Sequence, residues 1–115
     1  MRKHNVALIL VLRDRLSSAA ELVVSCCHVL WNPRRGHVKL RQMLHLLERV
    51  RALQAERTAS LAGAATASVA TVLMGDWNCT PQSALYRFLV GGVLEEGLKS
   101  ESDWDGHTAA QAASP

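Results

Sequence analysis

Gly75-Asp76-Trp77-Asn78 follows directly on the aliphatic run 69–74 and leads into Cys79-Thr80-Pro81. A strand end is where layered α/β proteins place their functional groups. Here it offers a carboxylate, Asp76, and a neutral amide, Asn78, which can donate to a phosphate oxygen without changing charge. Gly75 permits close backbone approach. The plain alternative is that Asp76 or Asn78 caps the following helix or shapes a turn. His28 closes a second aliphatic run, 22–27, where an imidazole can serve as a structural hydrogen-bonding group or as a catalyst. The loop Asn32-Pro33-Arg34-Arg35-Gly36 comes next. Its guanidinium forks match phosphate oxygens, which makes Asn32, Arg34 and Arg35 candidates on the substrate side; a solvated basic loop is the competing reading.

Other polar clusters carry less. Cys26 and Cys27 are adjacent, so in a strand they face opposite ways and cannot share a metal. His45 and Glu48 lie one helical turn apart but lack a third ligand. Asp103, Asp105 and His107 fall in an Ala-rich tail that reads as solvated. No residue is assigned as a metal ligand.

These groups need elements to hold them. Residues 6–12 form a branched aliphatic run bounded by charge, which predicts a strand buried on both faces, and 22–27 reads the same way. The polar stretch between them is short, so the two should pair antiparallel. From Val38 the period changes: Leu40, Met43, Leu44, Leu47 and Val50 recur at spacings of three and four, predicting a helix with that stripe inward. Pro33 and Gly36 forbid an earlier start and shape the loop. Residues 58–68, rich in Ala, Ser, Thr and Gly, read as a linker or insertion. Residues 69–74 are a third strand. A short helix within 81–90, with Leu85, Phe88 and Leu89 inward, should end at Gly91 or Gly92. The order β-β-α-β-α describes an α/β layered design with one sheet covered on one face. Residues 99–115 read as a disordered tail.

Composition sets wider bounds. At 115 residues there is room for one small domain. A hydrophobic fraction of 49% excludes a wholly disordered chain, while only 4% aromatics implies a core with few large anchors. The net charge of +3 permits a polyanionic ligand. Three cysteines without paired spacing point to a reducing, intracellular and cytoplasmic setting. Met1-Arg2-Lys3 imitates a secretory start, but Arg13, Asp14 and Arg15 interrupt the apolar run too soon. No stretch reaches the length of a membrane span, so no membrane partner is expected.

Taken together, CHVLWNPRRGHVKLRQMLHLLERV followed by VLMGDWNCTPQSALYRFLVGGVLEEGL resembles the Angel, nocturnin and deadenylase branch of the endonuclease/exonuclease/phosphatase superfamily. The shared order is strand, His, an Asn-Pro-Arg-Arg-Gly loop, Lys-Leu-x-Gln on a helix, then strand, Gly-Asp-Phe-Asn, Thr-Pro-x-Ser and Leu-Tyr. The resemblance implies a fragment of a two-sheet β-sandwich flanked by helices, with residues 1–98 a partial domain. It also implies magnesium-dependent hydrolysis of a phosphoester, of the exoribonuclease type that acts on RNA 3′ ends. Nucleic acid is the implied partner, RNA ahead of DNA. By motif, Asp76 would orient or deprotonate the water, Asn78 would hold the phosphate and His28 would donate to it.

The departures shape a second expectation. Family enzymes carry a metal-binding Glu on an earlier strand and a late Ser-Asp-His. Neither is recognisable here, and magnesium held by one carboxylate would bind weakly. The segment is therefore expected to be inactive by itself. The alternative is a truncated, non-catalytic pseudo-domain that binds RNA, or a protein through exposed sheet edges.

Overall fold

The computed structural model describes residues 5–16, 20–63, 67–94 and 104. Five elements follow in the order β1 (Ala7–Arg13), β2 (Ala20–His28), α1 (Gly36–Ser60), β3 (Ser68–Asp76) and α2 (Ala84–Gly91). The expected β-β-α-β-α order and α/β class are those observed. Two compact units divide the chain: Met1–His28 with Leu44–Asp76, and Val29–Met43 with Trp77–Pro115.

The first unit is a three-stranded sheet in the order β1-β2-β3. β1 and β2 are antiparallel, as their short connection demands. Asp14 begins that connection, its Oδ1 accepting from the Leu16 N–H at 2.9 Å while its own N–H donates to the Ala20 carbonyl at 3.0 Å. β3 runs parallel to β2, which requires a long crossover, and α1 supplies it. Alternation along β2 sends Glu21, Val23, Ser25 and Cys27 to a buried face, and Leu46 and Val50 of α1 are buried in the same unit. The α1 side chain of Gln54 reaches the Val69 carbonyl of β3 at 3.2 Å, fixing the helix over this face.

The opposite face carries Leu22, Val24 and Cys26, flanked in register by Leu12, Leu10 and Leu8 of β1 and by Ala70, Val72 and Met74 of β3. It remains exposed: Leu8 by 57%, Leu12 by 49% and Met74 by 45%. The run 6–12 is therefore not a strand buried on both faces. Branched aliphatic residues favour extended backbone whatever covers them, and β1 is an edge strand.

In the second unit Val29, Lys39, Met43, Ala84 and Leu85 are buried. Ser83 caps α2 by accepting from the Tyr86 N–H at 3.1 Å, and Gly92 closes it at φ 71°, where a side chain would be strained. Leu85 is fully buried, with Phe88 and Leu89 partly so, as expected.

Along α1 the buried stripe is Lys39, Met43, Leu46 and Val50. The expected stripe shared Met43 and Val50 but assigned Leu44 inward, and Leu44 is 40% exposed. A lysine occupies the helix's inner face, and the stripe turns with it. The helix runs on to Ser60, so the stretch 58–68 contributes its last residues to α1 and its final one to β3. The tail 99–115 lies outside the described residues except for Trp104, whose Cβ is 2.1 Å from where a Cβ on Gly36 would sit, so Gly36 has no room for a side chain.

Candidate active site

In the first unit, the parallel pairing of β2 and β3 ends on the rung His28↔Asp76. The rung before it, Cys27↔Gly75, sets the spacing. Gly75 has φ 134°, and a Cβ there would fall 2.0 Å from the Cys27 carbonyl oxygen. Only glycine lets β3 follow β2 to its end at this point. The last rung brings His28 Nε2 to 3.9 Å from Asp76 Oδ2, with the two side chains 67% and 65% exposed. Both lie on the sheet face opposite α1, in line with Cys26 and Met74, where solvent or a ligand can reach them. Beneath them, burial pushes the Cys27 thiol pKa up, with the charges of Cys26 and Asp76 adding to it.

In the second unit, Asn78 adopts φ 47°, the sole positive φ outside glycine among the described residues. Asparagine tolerates this left-handed region better than most residues, yet it still costs free energy. Hydrogen bonds at both ends hold Asn78: its Nδ2 donates to the Val29 carbonyl at 2.9 Å, and its own carbonyl accepts from Lys39 Nζ at 2.8 Å. Gln42, one turn along α1 from Lys39, accepts from the Leu30 N–H at 2.9 Å. Asn32 shapes its loop, with Oδ1 accepting from the Arg34 N–H at 2.9 Å and its carbonyl from the Arg35 N–H at 3.2 Å. Arg34 and Arg35 are exposed.

Of the expected site residues, the first unit thus joins His28 and Asp76, and the second contains Asn78, Asn32, Arg34 and Arg35. No family model matches the chain. It is 37% identical over 101 residues to protein angel homolog 1 of Homo sapiens, and 35% identical over 99 residues to protein angel homolog 2 of the same species. It is 35% identical over 100 residues to carbon catabolite repressor protein 4 homolog 5 of Arabidopsis thaliana. These matches take in 83%, 84% and 87% of this chain. The crystal structure of ANGEL2, described as a 2',3'-cyclic phosphatase, matches with a TM-score of 0.69 at 32% identity, over 96% of this chain. The chain belongs to the Angel branch of the endonuclease/exonuclease/phosphatase superfamily. It spans 14% to 20% of the length of these relatives and 29% of the ANGEL2 chain. ANGEL2 in complex with adenosine-2',3'-vanadate matches comparably, with a TM-score of 0.68 at 29% identity.

Whether this Angel segment could hold magnesium can be judged from its donors. Among the described residues no three His, Cys, Asp or Glu side chains converge. Magnesium prefers octahedral oxygen ligation. Asp76 with a neighbouring imidazole does not make such a site, so the described residues do not fit the ion by themselves. No described helix is long and apolar enough to cross a membrane.

Two features of the Angel segment escaped the sequence reading. One is Lys39, fully buried at an inner helix position. Its signal was positional, since spacings of four, three and four link it to Met43, Leu46 and Val50. The other is Glu21, whose side chain is 1% exposed and accepts from Arg57 Nε at 2.7 Å and Arg13 Nη2 at 2.8 Å. Those guanidinium groups, Arg57 first, hold its carboxyl down at about 2. An acid inside an aliphatic strand was the available clue.

Proposed function

We propose that this segment carries part of the substrate-handling surface of a phosphoesterase that acts on RNA 3′ ends, with Asp76 and His28 as the groups nearest the chemistry. The observation that carries the reading is the meeting of His28 and Asp76 at the last shared rung of β2 and β3. Both are solvent-accessible, as groups that meet a ligand must be. In this reading the Asp76 carboxylate orients or deprotonates the attacking water, and the His28 imidazole donates to a nonbridging phosphate oxygen. Within the second unit, the family motif gives Asn78, its amide held by the Val29 carbonyl, the role of a phosphate donor, and Arg34 and Arg35 contacts to the RNA backbone. ANGEL2, matched over nearly this whole chain and solved with adenosine-2',3'-vanadate, supports a ribose-linked phosphate as the group handled. Magnesium is the cofactor the family implies, and the described residues do not by themselves supply its ligands. Hydrolysis by the 115-residue chain alone is therefore not expected.

A chimera tests this, with residues 5–98 replacing the corresponding segment of ANGEL2. It should hydrolyse an RNA oligonucleotide ending in a 2',3'-cyclic phosphate, and Asp76→Ala should lower kcat by about a hundredfold or more. Unchanged turnover in that variant rejects the catalytic assignment. A parallel arm with a 3′-hydroxyl poly(A) oligonucleotide separates terminal-phosphate removal from exonucleolytic shortening. The exposed apolar sheet face favours a second reading, a protein-binding pseudo-domain, which a fully inactive but folded chimera would support.

A further inference from the structure

We infer that Lys39 is a positioning residue that locks Asn78 into its left-handed turn. Three observations within the second unit carry this. Lys39 is fully buried, although an ammonium removed from water is costly unless it is hydrogen-bonded. Its Nζ donates at 2.8 Å to the backbone carbonyl of Asn78. Asn78 is the residue whose φ of 47° needs outside support among the described residues.

The geometry explains why a lysine suits this position. A left-handed residue turns its carbonyl away from the direction the preceding strand would give it, so β-ladder pairing cannot satisfy that oxygen. The long lysine stem crosses the buried interior from α1 and delivers a charged donor to it, stronger than a neutral one. With the carbonyl fixed by Lys39 and the side-chain amide fixed by the Val29 carbonyl, both ends of Asn78 are tied. Gln42 adds a third tie, from the same helix to the Leu30 N–H, so the start of α1 braces the segment after β2 as well as the turn after β3. The functional meaning of this lock rests on the reading of Asn78 as a phosphate donor. The lock itself does not.

A double-mutant cycle on the full chain tests it, with thermal midpoints as the readout. Glycine adopts positive φ without support, so Asn78→Gly removes the need for the lock. Lys39→Met keeps the volume and removes the donor. The change in midpoint caused by Lys39→Met should be more unfavourable beside Asn78 than in the Asn78→Gly background, by about 4 to 8 °C. Equal shifts in both backgrounds would show that Lys39 only fills space, and would overturn the inference. If Lys39→Met does not fold, Lys39→Gln, whose amide ends one bond short of the Asn78 carbonyl while keeping a polar group at the site, is run through the same cycle with the same criterion. A separate arm reads function in the ANGEL2 chimera: Lys39→Met should lower kcat about tenfold and leave KM within about twofold. Coupling in the cycle together with unchanged turnover on Asn78→Ala would keep the lock and reject the phosphate role of Asn78.

Discussion

The two ends of β2 hold acidic groups in opposite ways. At the start, Glu21 is buried, with its carboxylate bonded to two guanidinium groups at 2.7 and 2.8 Å. At the end, His28 faces Asp76 at 3.9 Å, with both side chains about two-thirds exposed. The strand is the same and the neighbours differ. Glu21 lies on the face covered by α1, where an unpaired charge would be intolerable and Arg57 arrives from the helix to meet it. His28 lies on the open face, where water screens the pair and little stability can depend on it. Charge at one end serves the fold, and charge at the other is left accessible to a ligand.

The sharpest way to break this contrast is Glu21→Gln. It leaves two arginines facing a neutral amide at a buried position, and the thermal midpoint should fall by on the order of 10 °C. A shift as small as that of a surface substitution would mean that the triad is decoration. Acid offers the same test without mutation. The folded-state pKa of Glu21 is lowered from 4.5 to about 2, so its contribution is complete above 4.5 and is lost as pH falls through about 2. Urea midpoints should therefore be flat for this group above about pH 5 and decline below 4.5, and Glu21→Gln should flatten that decline.

Gly75→Ala is the next largest effect and acts at the opposite end. The added Cβ would meet the Cys27 carbonyl oxygen at 2.0 Å with φ at 134°, so the rung must open. A loss of more than about 1 kcal/mol is expected, with faster amide exchange at the end of β3 than at its start. Uniform exchange along β3 would show that the strand end is not held by this rung.

How much of this was legible in the sequence follows from which residues carry their own period. The three strands and both helices announced themselves through aliphatic runs and the three-and-four spacing, and the pair Gly91-Gly92 announced the end of α2, with Gly92 proving to be the cap. What 6–12 would be buried against was not legible, because Leu8, Leu10 and Leu12 would read identically in a covered strand. Lys39 reads as a surface residue by type, and a hydrogen bond such as the one it gives the Asn78 carbonyl is what makes its burial tolerable. The Glu21 triad needed the register Arg13↔Glu21 and a helix extending as far as Arg57, past the point where the apolar stripe was clear. His28 and Asp76 were named from their motifs. Their meeting on one rung depends on a parallel register that no single strand specifies.

The smallest expected effect is the one the comparison most depends on. If the open end of β2 is free of structural duty, Asp76→Asn should leave the thermal midpoint of the chain within about 3 °C, because an exposed His–Asp contact at 3.9 Å contributes little in water. Raising the salt concentration should change the midpoint of the unsubstituted chain and of Asp76→Asn in parallel, since the exposed His28–Asp76 contact contributes too little for screening to remove. A fall comparable to that of Glu21→Gln would place Asp76 among the groups that hold the sheet together. The two ends of the strand would then no longer differ in kind, and the accessible carboxylate would have a structural explanation in place of a chemical one.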